Sequence, residues 1–261
     1  MFILPGFLYI LIILGYPLVY NVVLAFHNVN VKTFASHTDV FVGLQNFKDL
    51  LSDQTFQKIF KNTLVFTFGC LLFQFTIGFG RTEGSEGLFF SQKFTLSGPI
   101  RGLVLVAYMM PMSVTAMLGK NMFDVSSGVI NDLLMKLHLV SQPVEWLLKG
   151  NTAIGAVIFM NCWVGIPFNM LLLTSGLTGI SQDIYESAEV DGANKIQKFL
   201  HITLPLVRPA IVAVLMLGFI YTFKAFDLMF VMTSGGPLNA TDVLGTYSYQ
   251  LSFTQYEFSK G

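Results

Sequence analysis

The chain has 261 residues, of which 53% are hydrophobic and only 11% charged, and its formal net charge is zero. Such a composition departs from soluble globular usage toward that of membrane-spanning chains. With no block of like charge, nothing supports a nucleic-acid partner or a polybasic surface anchor, whereas membrane lipid is an expected partner.

Runs of about 20 apolar residues mark membrane crossings, and five occur along the chain. The first runs from Phe2 to Phe26. It lacks a basic leader and an Ala-x-Ala cleavage pattern, so it reads as a retained helix and not as a signal peptide. A polar loop follows from Asn28 to Lys61 and contains one amphipathic stretch, FVGLQNFKDLLSD. The second span, Asn62 to Phe79, is marginal in length. The octet Gly80 to Gly87 that follows is polar and glycine-rich, a composition that favours a loop. The third runs from Leu103 to about Leu118, and Pro111 inside it predicts a kink. The fourth runs from Ala153 to Leu173 and the fifth from Leu206 to Met232, each long enough to cross with some tilt.

Of the three arginines, Arg81 and Arg101 fall in the loop after span two and Arg208 at the start of span five, which places those connections in the cytoplasm. Cys70 and Cys162 lie within apolar runs, where packed or lipid-facing thiols are expected and disulfides or metal sites are not. The four histidines lack ligand spacing, so no metal is assigned. Lys224 and Asp227 are spaced to pair on one face of span five, near its far interface.

Between spans four and five the chain turns polar, reading YESAEVDGANKIQKFLHITLPLVRP from Tyr185 to Pro209. Ser181 or Asp183 caps a helix over Ile184 to Val190, with Glu186 completing a capping box. Gly192 ends that helix, since glycine tolerates a left-handed turn. Ile196, Phe199 and Leu200 then recur at helical spacing, with Lys195, Gln197, Lys198 and His201 turned elsewhere, and Pro205 opens the next helix. On periodicity alone this is a helix, a turn and a second short helix resting in the membrane interface as an amphipathic connector.

The residue types add more. Glu186, Ser187, Ala188, Asp191, Gly192 and Ala193, followed by Phe199, Ile202, Leu204 and Pro205, closely resemble the EAA motif of ABC importer permeases. Only Ser187 departs, a small residue where the family has alanine. FVGLQNF, Asn62 and Thr63, GVINDLL, Trp146 and Leu147, Trp163 and FDLMFVMTSGGP resemble the sugar branch, which includes the maltose and glycerol-3-phosphate permeases.

The resemblance implies an all-α, polytopic helical bundle of the bacterial cytoplasmic membrane, with five visible spans of a family six. The chain would be one transmembrane domain over 1–261 lacking its last helix, with residues 181–205 as the cytoplasmic coupling helix. It implies separate cytoplasmic ATPase subunits that hold ATP and magnesium, a second homologous permease and an extracytoplasmic solute-binding protein. No phosphate-binding G-x-x-x-x-G-K-[ST] occurs in this chain, so it holds no nucleotide site of that type and is not expected to be an enzyme. Gly192→Asp should damage coupling by steric and conformational effects while leaving insertion intact.

Polar or aromatic groups inside spans are costly unless they line a cavity or pair, which singles out Gln74, Asn161, Trp163, Asn169 and Thr174 as a candidate sugar path. Each also reads as interhelical glue, the better reading for any one of them. The rival classes are a secondary carrier acting without an ATPase, a membrane-embedded enzyme and a truncated, non-transporting permease fragment. Neither the ionisable midplane groups of a carrier nor the clustered catalytic groups of an enzyme are evident.

Overall fold

The computed structural model describes residues 4–36, 38, 40–78 and 97–261, so Arg81 and the Gly80 to Gly87 octet lie outside the described residues. The chain packs as two compact units, one of residues 1–61 with 242–261 and one of 62–241.

In the first unit, α1 (Leu4–Ala25) is a continuous apolar helix, none of which is buried within the protein. The polar loop expected next carries structure of its own. Strands β1 (His27–Asn28) and β2 (Val40–Phe41) pair antiparallel around α2 (Val31–Ser36), and α3 (Gln45–Ser52) follows. FVGLQNFKDLLSD is thus helical over α3, but the residue it buries is the polar Asn46, while Phe47 and Leu51 lie exposed. Buried Asn46 anchors it, its amide donating to the carbonyls of Ala25 and His27 at 2.9 Å each. Asp53 then starts α4 (Gln54–Gly78), accepting from the Thr55 backbone N–H at 2.9 Å and from the Tyr247 hydroxyl at 2.9 Å. A small core of Ile59, Tyr247 and Leu251 forms beside Leu50, Phe56 and Leu244.

Span two is thus longer than the hydropathy of Asn62 to Phe79 implied, because an N-cap extends the helix back through Lys61, Lys58 and Gln57. Apolar content marks the part of a helix that suits a membrane; capping decides where the helix begins.

In the second unit, the third expected span is two helices, α5 (Ser97–Met109) and α6 (Met112–Met122). Pro111 sits between them with φ −56° and ψ 139°. A kink was expected, and the chain instead leaves the helix and re-enters it. Proline lacks the donor and disfavours helical geometry in the residue before it, so it serves better as the start of α6 than as the interior of one long helix.

Helix α7 (Val129–Lys136) lies under a loop organised by buried Asn131. Its Nδ2 donates to the Val144 carbonyl at 3.0 Å, and its Oδ1 accepts from the Val144 amide at 3.0 Å and the Trp146 indole N–H at 2.9 Å. Helix α8 (Gly150–Thr178) is the fourth span, three residues longer at its start than its apolar run. Both cysteines are packed thiols, Cys162 Sγ lying 3.9 Å from the Cys70 carbonyl oxygen.

After α9 (Gln182–Val190), residues Lys195–Phe223 form one continuous 29-residue helix, α10. The expected separate second helix does not exist, since its four residues run straight into span five. A π turn over Phe199–Thr203 lies just before Pro205 and absorbs the missing donor, which is how proline is accommodated within a helix.

Span five also ends earlier than Met232, because α10 stops at Phe223 and Asp227–Thr233 form a separate helix, α11. No ion pair joins Lys224 to Asp227: the Lys224 ammonium lies 5.0 Å from the centre of the Tyr221 ring. With the helix ended between them, the two side chains no longer share one face. Leu173, Val207 and Val214 form the core between α8 and α10, where a Cβ on Gly176 would come within 2.6 Å of Ala210 Cβ. Backbones approach this closely only where one partner is glycine. A final α12 (Leu244–Tyr249) belongs to the first unit.

Four helices among the described residues are long and apolar enough to cross a membrane: α1, α4, α8 and α10.

Candidate functional site

Helix α9 begins at Ser181, whose hydroxyl accepts from the Asp183 backbone N–H at 3.4 Å. Of the two expected caps the structure uses Ser181, and Asp183 takes the first turn, where a carboxylate suits the helix dipole. The capping box centred on Glu186 is therefore replaced, and Glu186 lies exposed.

The end of α9 follows from Gly192, which adopts φ +77°. The Gly192 N–H donates to the Glu189 carbonyl at 3.0 Å and the Ala193 N–H to the Ala188 carbonyl at 2.9 Å. These are the two bonds of a Schellman turn, which satisfy carbonyls that a helix end otherwise leaves open. Asn194 then caps α10 in a reciprocal box with Gln197.

Two side-chain bonds close the two arms on each other. Lys198 Nζ meets Glu189 Oε1 at 2.8 Å, and the Tyr185 and Thr203 hydroxyls meet at 2.9 Å. Partners on α9 move back along the chain as those on α10 move forward, so the arms run antiparallel. The Lys198 ammonium holds the Glu189 carboxyl below the ordinary carboxylate range.

Lys198 is among the buried residues, whereas Ile196, Phe199 and Leu200 are exposed at 70%, 40% and 49%. This inverts the expected face. Regular helical spacing groups Lys198 with the outward residues, but the π turn adds one residue per turn and brings Lys198, Thr203 and Val207 onto the buried side. A lysine five positions before a threonine that closely precedes a proline was the available signal.

Of the motif residues, Glu186, Ser187, Asp191, Gly192 and Pro205 are exposed, and Ala188, Ala193, Ile202 and Leu204 are half-buried. Val190, at 89% exposed, is the most prominent apolar side chain of the turn.

The candidate path residues do not gather in one place. Gln74, buried on α4, donates through Nε2 to Asn161 Oδ1 on α8 at 2.8 Å and to the Asn161 carbonyl at 3.3 Å. Gly165 makes room for this pair, because a Cβ there would collide with the Gln74 carboxamide. Asn169 is also buried, and its Oδ1 has no hydrogen-bond partner among the described residues. Thr174 is half-buried, while Trp163 is 55% exposed. None of the five lines the cavity of about 630 Å³ in the first unit, which is bounded by residues such as Asn21, Phe34, Asn46 and Phe258.

Apolar crossings with buried carboxamides between them and a braced polar helical hairpin are the features of a polytopic membrane protein. Residues 76–259 match the model of the binding-protein-dependent transport system inner membrane components, and the chain belongs to that family. It is a permease subunit of the inner membrane. Among curated relatives, it is 32% identical to the trehalose/maltose transport system permease protein MalF of Thermococcus litoralis, over 80% of this chain and 68% of that protein. It is 31% identical to the sulfoquinovosyl glycerol transport system permease protein SmoG of Agrobacterium fabrum, over 80% of this chain and 66% of that one. The fold is shared with a chain of a bacterial alginate ABC transporter solved in complex with alginate pentasaccharide-bound periplasmic protein. There the TM-score is 0.80 at 22% identity, over 99% of this chain and 84% of that chain.

Proposed function

We propose that this permease subunit carries a sugar or sugar-derived solute and is driven through residues 181–205 by a separate cytoplasmic ATPase that holds ATP and magnesium. The cargo class is supported by relatives named for trehalose and maltose and for sulfoquinovosyl glycerol. An extracytoplasmic binding protein would deliver the solute, and a second homologous permease would complete the path. Residues 1–261 would act as one transmembrane domain.

The observation that carries the coupling role is the exposed, Schellman-ended hairpin joining two apolar crossings. Its tip offers the Val190 side chain, the Glu186 and Asp191 carboxylates and the half-buried Ala188 and Ala193. Small residues let a partner helix approach closely, and carboxylates pair with basic groups there. Drawing two ATPase subunits together then moves the hairpin and switches the access of the path.

For the path, the buried Gln74 and Asn161 and the Asn169 Oδ1, which has no partner among the described residues, support a hydroxyl-binding surface, with Trp163 and Thr174 elsewhere along α8. Cysteines placed by Ala188→Cys and Ala193→Cys should form cross-links to the ATPase in the assembled transporter. Import that proceeds normally with no capture at either position rules the coupling role out.

A further inference from the structure

We infer that Lys198 is a positioning residue for energy coupling: the ion pair its buried ammonium makes with Glu189 locks the coupling hairpin to the spanning helix α10, so that a push on α9 reaches the membrane undiminished. This rests on the coupling role proposed above for residues 181–205.

The geometry carries it. Helix α9 has nine residues, none of them fully buried, so little apolar packing holds it in place. Its attachment to α10 is instead polar: the 2.8 Å Lys198 to Glu189 contact near the turn and the 2.9 Å Tyr185 to Thr203 contact farther out. The two struts sit at different levels along antiparallel arms, and two separated fixings remove a hinge that one would leave free. Lys198 has a side chain only 7% exposed, while Glu189 is 60% exposed. The pair is therefore strongly asymmetric. Removing Glu189 strands a cation that is out of water, whereas removing Lys198 leaves a carboxylate that water can serve. The π turn at Phe199–Thr203 is what faces Lys198 and Thr203 to the same side, so the strut and the helix irregularity form one device.

Such a brace matters only if force passes through it. A hairpin hinged at Gly192 would let α9 follow the ATPase while α10 stayed behind, and ATP would be spent without transport. The test uses the whole transporter reconstituted in proteoliposomes, with Lys198→Met, Lys198→Arg, Glu189→Gln and the Lys198→Met/Glu189→Gln pair.

Solute moved per ATP hydrolysed should fall by roughly fivefold or more in Lys198→Met, with Ala188→Cys capture of the ATPase retained. Lys198→Arg should restore the ratio, and the double variant should be no worse than Lys198→Met, as for two groups acting as one. Spin labels at Gln182 and Leu206 should show a broader distance distribution in Lys198→Met. An unchanged transport ratio with capture retained overturns the brace. A double variant whose losses simply multiply also overturns it, since Glu189 then acts on the ATPase directly. Absent capture in the otherwise unsubstituted chain overturns the coupling role itself. Should Lys198→Met fail to accumulate, the double variant, which leaves neither charge unpaired, carries the same test, with the ratio expected to fall and an unchanged ratio counting against the brace.

Discussion

Three asparagines in stretches that resemble sugar permeases do the same job. Asn46 holds the carbonyls of Ala25 and His27, Asn131 holds Val144 from both sides, and Asn62 donates to the Asn239 carbonyl at 2.8 Å. A carboxamide suits such positions because it donates and accepts in one plane without charge. Asn131→Ala would leave the Val144 amide and Trp146 indole N–H without their acceptor, a loss of about 2 kcal/mol or more. A lower melting temperature and red-shifted tryptophan emission should report it. Gly165→Ala should cost about 1–3 kcal/mol by driving the new methyl into Gln74, and Gln74→Ala in the same chain should recover part of the loss. At Gly192 a Cβ would meet nothing within 4 Å, so the steric damage expected of Gly192→Asp is absent within this chain. What remains is the left-handed backbone, worth about 1 kcal/mol for Gly192→Ala. Insertion of that variant should be normal, and its coupling ratio reduced. The three asparagines and Gly192 were visible in the sequence as motif letters and Gly165 was not; the partners of the asparagines and of Gly165 were hidden, because each closes a contact that no short-range pattern encodes.

At the scale of elements, hydropathy found the membrane-facing lengths and missed the ends. It placed α1, α8 and the core of α4 correctly, since a long apolar run has few alternatives to a buried or lipid-facing helix. It failed wherever a local device cut or extended the helix: the Asp53 cap, the Pro111 break, the π turn before Pro205 and the stop at Phe223. Asp53 permits a direct check. Hydrogen bonds from the Thr55 amide and, less strongly, from Tyr247 hold its carboxyl below the usual range. A lowered carboxyl stabilises the fold above its unfolded value of about 3.9, and that gain is lost as pH falls through the folded value. Asp53→Ala should therefore cost about 1 kcal/mol near neutrality. Its melting temperature should also depend less on pH in the acid range than that of the parent chain, and parallel acid limbs would contradict the capping role.

For the whole molecule, class and family were legible because two independent signals agree: crossings spaced by hydropathy and a polar segment from Glu186 to Pro205 that resembles the EAA motif. The path was far less so. Gln74 and Asn161 are bound to each other and Trp163 faces outward, so single polar letters in apolar runs identified buried polarity without showing where a solute touches. If the Gln74 and Asn161 pair lies in the path, Asn161→Leu should reduce uptake more than it reduces the folded yield of the transporter in detergent. Equal losses would assign it to packing.

The interruption at Pro111 reaches beyond the count of crossings. Helix α6 makes its first internal bond at the Thr115 amide, so the N–H groups of Met112, Ser113 and Val114 open the helix without partners inside it. Hydrocarbon does not tolerate bare peptide donors, which persist at membrane depth only beside protein or water. A seam of wettable backbone thus accompanies two otherwise greasy half-helices. Deuterium should enter at these three amides well before it enters the middle of α8, marking the side from which water reaches into the assembly.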